Sequence, residues 1–401
     1  NSITNYAKDN KYTLFIFFIF LLFLMYIITK MNVNTKNCTS IQEIRKDNTN
    51  YNTFYNFSDL INQGYFQSNM NLNNRSINYQ YKLKDFYIKT AYNCFCSGKF
   101  KNDYVNTCAL ANCASYGVRA LDMQIFSLNN QPIVAANSVN TNLYKETYNH
   151  ILLNDALAEI NKIYFKDTYF INNESVTIEN NLNEDPLFLI LRLHYGNNNN
   201  ENSLNSSFND KKISFYNKIY ELLVGNLDSE KFNSQIIKTF YGNEYETKRP
   251  QIIGNQTMES LINKIFIFVI LNDEPGSSVI KKSKLHDIVD LYGFSDELNA
   301  VRFDEIDDES GSYAVNRYKT RNQLTYCMPM LSYHNLNYDF VIPFGFGVQF
   351  VGMNFQKQDE QLDLYNKFFI EQFGEKNTEV TSPYIKKPDH MIEFPISITI
   401  N

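Results

Sequence analysis

Gly117–Val139 reads GVRALDMQIFSLNNQPIVAANSV, and two further stretches follow it, NDALAEINKIYF (Asn154–Phe165) and DPLFLILRLH (Asp185–His194). Within the first, Val118–Phe126 alternates in polarity as a strand does when it offers one face to a core. Asn154–Phe165 returns to helical spacing, and Pro186–Tyr195 (PLFLILRLHY) is almost continuously apolar, the pattern of a strand buried on both faces. Strand, helix and buried strand in that order imply a parallel sheet covered by helices.

Working outward, Phe86–Phe95 reads as an earlier strand and Lys101–Tyr116 as the helix after it. Val105, Cys108, Ala109, Asn112, Cys113 and Tyr116 fall at i, i+3, i+4, i+7, i+8 and i+11, a single stripe, and Gly117 stands where a left-handed cap would end the helix. Cys108 and Cys113 therefore read as core thiols. Cys94, Cys96, Cys108 and Cys113 have CxC then Cx4C spacing, which matches no common structural zinc site, and six cysteines in a large domain make no disulfide scaffold. Further on, residues 196–212 (GNNNNENSLNSSFNDKK) read as a low-complexity surface loop, Lys264–Asn272 (KIFIFVILN) as another strand, and Asp304–Glu309 as a solvated acidic loop.

Upstream, Tyr12–Thr29 (YTLFIFFIFLLFLMYIIT) is an uncharged apolar run between Lys11 and Lys30, long enough to cross a bilayer as a helix. It lacks a small-residue cleavage site, so an uncleaved single-pass anchor is expected at 12–29. Lys8 and Lys11 on one side balance Lys30 and Lys36 on the other, which leaves the orientation open. Residues 30–85, polar and Asn-rich, read as a stalk or N-terminal extension. Sequons at Asn56-Phe57-Ser58 and Asn74-Arg75-Ser76 matter if the domain is lumenal. The 44% hydrophobic content suffices for a sizeable core, while a net charge of -6 and the lack of a Lys/Arg cluster argue against a nucleic-acid partner.

The order and spacing of the three quoted stretches resemble the X half of the phosphatidylinositol-specific phospholipase C barrel, at residues 86–272. Phe346–Phe369 (FGVQFVGMNFQKQDEQLDLYNKFF) with Tyr384–Pro388 (YIKKP) is similar to the end of the Y half, at about 320–390. Ala91–Val105 (AYNCFCSGKFKNDYV) resembles the divergent phospholipase C-like proteins of large DNA viruses. The resemblance implies a TIM-type (β/α) barrel at 86–395, with its site at the C-terminal ends of the strands. It also implies a phosphoric diester hydrolase acting on phosphoinositide headgroups with calcium, in a host or virion membrane.

The same resemblance places the family's functional positions. The two histidine positions correspond to Tyr92, followed by a retained Asn93, and to Ala136. The acidic calcium ligands correspond to Asp122, Gln124 and Arg192, of which Asp122 alone keeps a carboxylate. Only Asn93 and Asp122 could serve as their counterparts do. Losing a positioned acid or base costs about 10²- to 10⁴-fold, and a site reduced from about three negative charges to zero net has little affinity for calcium. A guanidinium can itself occupy the place of the metal's charge. These substitutions predict an impaired catalyst that needs no cofactor, in which Arg192, Asn93, Asp122 and Gln124 could bind a phosphate or headgroup, or which offers only a protein-binding surface.

The alternative is an active, metal-independent hydrolase. His194 lies two residues beyond Arg192 on an apparent strand, so both side chains share a face, with His194 as base and Arg192 as phosphate clamp. The deciding observation is whether a histidine lies within hydrogen-bond reach of Arg192 and Asp122.

Overall fold

The computed structural model describes residues 11–47, 81–139, 144–165, 168–171, 174–177, 186–195, 206–242, 244–271, 279–306, 320–332, 334–371, 383–388 and 391–392. The chain begins with helix α1 (Lys11–Asp47), followed by strand β1 (Phe86–Ala91) and helix α2 (Thr107–Ser115). Next come strands β2 (Ala120–Leu128), β3 (Gln131–Ala135) and β4 (Ile151–Leu152), and helix α3 (Leu153–Phe165). A hairpin of β5 (Thr168–Ile171) and β6 (Glu174–Thr177) leads to β7 (Leu187–His194), α4 (Ser206–Asn226), α5 (Asn233–Tyr241), α6 (Glu244–Gly254) and β8 (Ile265–Leu271). Then follow β9 (Leu291–Tyr292), β10 (Asn299–Arg302), α7 (Phe303–Ile306), β11 (Thr325–Met328), α8 (Val341–Gly345), β12 (Phe350–Met353), α9 (Glu360–Glu371) and β13 (Tyr384–Lys386).

Eight strands form one parallel path, β10-β11-β12-β1-β2-β7-β8-β9. The first strand lies between the second and the last, Thr90 pairing with both Ala120 and Gly352, so chain order runs around the sheet as a (β/α)8 barrel requires. The two ends of the path meet at a parallel bridge between Gly293 and Leu298. Strand β13 adds antiparallel to β1, and the β2–β3 hairpin extends beyond the barrel rim.

Packing explains the sequence patterns. Strands β7 and β8 are buried along their whole length because one face looks into the barrel and the other lies under helices. Phe188 of β7, Phe266 and Phe268 of β8 and Phe350 of β12 fill the lower interior, with ring centroids 4.7 to 6.4 Å apart. Helix α3 buries Leu153, Ala156, Leu157, Ile160, Ile163 and Tyr164, the stripe its spacing predicts.

Several boundaries differ from expectation. Strand β1 ends at Ala91 because the chain turns at Asn93, whose φ is 48°. Helix α2 starts at Thr107 rather than Lys101: Asp103 accepts bonds from the backbone N–H of Lys99 and Tyr104, both 3.0 Å, and Asn106 caps the helix through Cys108 N at 3.0 Å. Gly117 has a φ of 74°, as expected for a residue ending this helix. Residues 206–212, expected as loop, open α4, and Lys212 is buried. Asp304 and Glu305, expected in a loop, lie in the short helix α7, while 307–309 and the sequons at Asn56 and Asn74 lie outside the described residues.

The N-terminal region adds one element and one correction. Residues 30–47, read as part of a stalk or N-terminal extension, continue the same helix as the apolar run. Cys108 is not a core thiol; it forms a disulfide with Cys38 on α1, whereas Cys113 is free and buried. Since α2 begins late, Cys108 sits in its first turn, half-buried and facing α1.

Candidate active site

The site forms where β1, β2 and β7 run side by side. Asp122 and Gln124 point into the barrel from β2, and β7 pairs with it so that Gln124 faces Arg192 and Asp122 faces Ile190. From that register the Arg192 guanidinium reaches back to Asp122 and clasps it with both ends: Nε donates to Oδ2 at 2.8 Å and Nη2 to Oδ1 at 2.7 Å. Nη1 donates to the Tyr92 hydroxyl at 2.9 Å and Nη2 also donates to Asn93 Oδ1 at 2.5 Å. The Tyr92 ring lies against the guanidinium, 4.2 Å from centroid to Cζ. Asp122 Oδ1 further accepts from the Asn93 backbone N–H at 3.0 Å. The pair is sealed, with side-chain exposures of 1% and 0%.

Electrostatics follow the geometry. Burial by itself would lower the pKa of Arg192, but the Asp122 carboxylate and the neighbouring phenol oxygens outweigh it and raise it. Tyr326 of β11 projects into the same interior, where burial first and Asp122 second hold its hydroxyl protonated well above the usual range. Gly352 makes room for it: a Cβ there would lie 3.0 Å from the Tyr326 hydroxyl and 3.3 Å from Tyr92 Cβ. Tyr326 escaped the sequence reading because its strand, TYCM, carries no matched motif.

The remaining predicted residues sit close by in other roles. Gln124 is tied to the loop after β3: its Nε2 donates to the Asn137 carbonyl at 3.3 Å and its Oε1 accepts from Asn137 N at 3.2 Å. Ala136 is fully buried, and its carbonyl accepts from Glu146 N at 2.8 Å. His194 is buried at the upper end of β7, its ring stacked on Phe126 at 4.4 Å and 9°. Burial first, then the Arg192 charge, lowers its pKa to about 3, so its imidazole is neutral at physiological pH. No histidine is a hydrogen-bond partner of Arg192 or Asp122 among the described residues. The crevice between Asn93, Cys96, Gln124 and Ala135 has no room for a water molecule.

This donor set does not fit calcium. Such an ion takes six to eight oxygen ligands with several carboxylates. Here the one carboxylate, Asp122, is neutralised by a guanidinium, the Asn93 carbonyl oxygen faces that same guanidinium, and the Gln124 amide is occupied by backbone.

No protein-family model matches the sequence, and no curated protein does. Solved structures do match. L. pealei PLC21 aligns over 79% of this chain and 38% of its own length, at 15% identity with a TM-score of 0.53. S. officinalis PLC21 aligns over the same shares at 15% identity with a TM-score of 0.52. A calcium-dependent phosphoinositol-specific phospholipase C from a Gram-negative bacterium, Pseudomonas sp, aligns over 70% of this chain and 92% of its own at 10% identity, with a TM-score of 0.44. The chain thus spans well under half of each PLC21 protein. Together with the circular strand order, the PLC21 likeness shows the architecture: this chain folds as a phosphatidylinositol-specific phospholipase C-like (β/α) barrel.

Proposed function

We propose that this protein is a membrane-anchored, catalytically impaired phospholipase C-like barrel that serves as a binding module rather than as an enzyme that cleaves phosphodiesters. The observation that carries this reading is the bidentate Arg192–Asp122 pair. A guanidinium stands where the family resemblance expects metal-ligand chemistry, and four of its five N–H donors are already used by protein oxygens. A phosphate clamp needs those donors free. Headgroup binding through Arg192 therefore loses support as well, because a ligand would have to displace a buried carboxylate. The reading of His194 as a metal-independent base is weaker still, since a neutral imidazole with a pKa near 3, stacked under Phe126, is a poor proton acceptor.

The anchor reading rests on α1. Every side chain from Tyr12 to Thr29 is exposed in the folded chain, and the segment is long and apolar enough to cross a bilayer. Such a surface has no stable place in water.

Two assays test the proposal on the full chain. In phosphatidylinositol vesicles, no inositol phosphate should be released above background with calcium or with chelator. Turnover that persists in chelator and vanishes in His194→Ala would establish the rearranged enzyme instead. Membranes washed in alkaline carbonate should retain the protein, and its release into the supernatant would end the anchor reading.

A further inference from the structure

Helix α1 has two halves with opposite environments. From Tyr12 to Thr29 it is exposed on all sides, but over Asn34–Ile41 one face is docked. Asn34, Asn37, Cys38 and Ile41 recur at i, i+3, i+4 and i+7, and each of the four engages the barrel or is buried. Asn37 Nδ2 donates to Asp103 Oδ1 at 2.9 Å, Asn106 Nδ2 donates to Asn34 Oδ1 at 3.2 Å, Ile41 is 4% exposed, and Cys38 is bonded to Cys108. The receiving surface is shaped for it. Asp103 bonds Asn37 while also organising the turn through Lys99 and Tyr104, and a Cβ on Gly98 would come within 2.7 Å of Asn37 Nδ2.

A disulfide between two half-buried cysteines persists where the compartment is oxidising; in the cytosol the thiol pool keeps such pairs reduced. Its formation releases two protons and two electrons, which an exchanging disulfide of that compartment accepts. The four other cysteines are free and buried, with Cys94, Cys96, Cys113 and Cys327 all held as thiols by burial. The charges flanking the apolar run leave the orientation open, so this bond is the feature that decides it.

We propose that the barrel lies on the oxidising, non-cytoplasmic side of the membrane, clamped by the Cys38–Cys108 disulfide to the membrane-proximal end of its own anchor helix. The membrane part of this inference rests on the anchor reading above; the side of the membrane rests on the disulfide. Because α1 rises about 14 Å from Thr29 to Cys38, the barrel is held next to the bilayer rather than swinging on a stalk. The clamped segment, Gly98–Asn106, is continuous with the turn that carries Tyr92 and Asn93, so the mouth of the barrel is the part fixed nearest the anchor.

The test uses the full chain made in eukaryotic cells. Sealed membranes are treated with protease, and thiols are alkylated in denaturant before and after reduction. The barrel should be protected until the membrane is opened with detergent. Four cysteines should be alkylated before reduction and all six after it, with Cys38 and Cys108 joined in the unreduced peptide map. Alkylation of all six without reduction, digestion of the barrel in sealed membranes, or a disulfide-linked dimer would overturn the proposal. Carbonate extraction of a barrel that is still protected and still oxidised would break the anchor reading alone and uphold the side assigned here.

Discussion

Arg192 and Lys89 are both buried in this barrel, and their surroundings are opposite. Arg192 projects inward from β7 and meets a carboxylate, a phenol and an amide oxygen. Lys89 projects from β1 toward α2 and α9, with its ammonium 5.3 Å from the Phe369 ring centroid and 5.9 Å from that of Tyr116. Among the described residues its Nζ has no hydrogen-bond partner. The consequence is a difference in charge state. Arg192 stays fully ionised, whereas burial lowers the pKa of Lys89 to about 7. A buried charge survives where an opposite charge and enough acceptors surround it; aromatic faces alone do not suffice.

The largest effect should come from breaking the satisfied partner. Arg192→Ala leaves Asp122 buried and unpaired, and should cost about 3–5 kcal/mol in denaturant unfolding. Replacing both together, Asp122→Leu with Arg192→Met, should recover most of that loss, because well-packed apolar residues replace a buried pair at little net cost. A single variant as stable as wild type would mean that the pair is solvated, contrary to the geometry described.

Lys89 should behave in the opposite way. Lys89→Met removes an unmet ammonium and should stabilise the fold by about 1–3 kcal/mol. The sign of its pH dependence can be worked out. The unfolded chain holds this proton up to about 10.5 and the folded chain releases it near 7, so between those values the unfolded state binds more protons and wild-type stability rises with pH. The advantage of the Met variant should therefore be greatest below about pH 7 and fade toward pH 10.5. Melting curves across that range check it, and a constant difference would refute the buried-ammonium account.

A smaller effect concerns His194. Its pKa falls from 6.5 unfolded to about 3 folded, so the unfolded state takes up the proton first as pH drops, and stability is lost from about pH 6.5 downward. This group alone should remove about 1.4 kcal/mol by pH 5.5. His194→Phe keeps a ring against Phe126 and should show a shallower acid slope over that window.

How much of this could be read in the sequence depends on how far each feature reaches along the chain. The β2–α3–β7 succession was legible because periodicities of 2 and 3.6 are written in neighbouring residues, and the element bounds came within about two residues. Strand β1 and helix α2 were overextended because Asn93 bends the chain and Asp103 and Asn106 hold a turn, effects that composition does not reveal. Asp122 and Arg192 were both singled out, each for its own position. Their contact depends on the β2–β7 register and on a side chain reaching back along the strand, which a single sequence does not display. The Cys38–Cys108 bond was missed for a related reason. The stripe containing Cys108 read as inward-facing, and the facing stripe of Asn34, Asn37, Cys38 and Ile41 is too polar to stand out as a docked face.

The central claim is that the Arg192 guanidinium takes the place of a metal ion in a closed site, and titration of purified full-length protein with calcium tests it most directly. Isothermal calorimetry, together with melting curves at each calcium concentration, should give no saturable heat and no shift in midpoint up to millimolar calcium. A stoichiometric binding isotherm at micromolar calcium, abolished by Asp122→Asn, would contradict the account and restore the metal-dependent site.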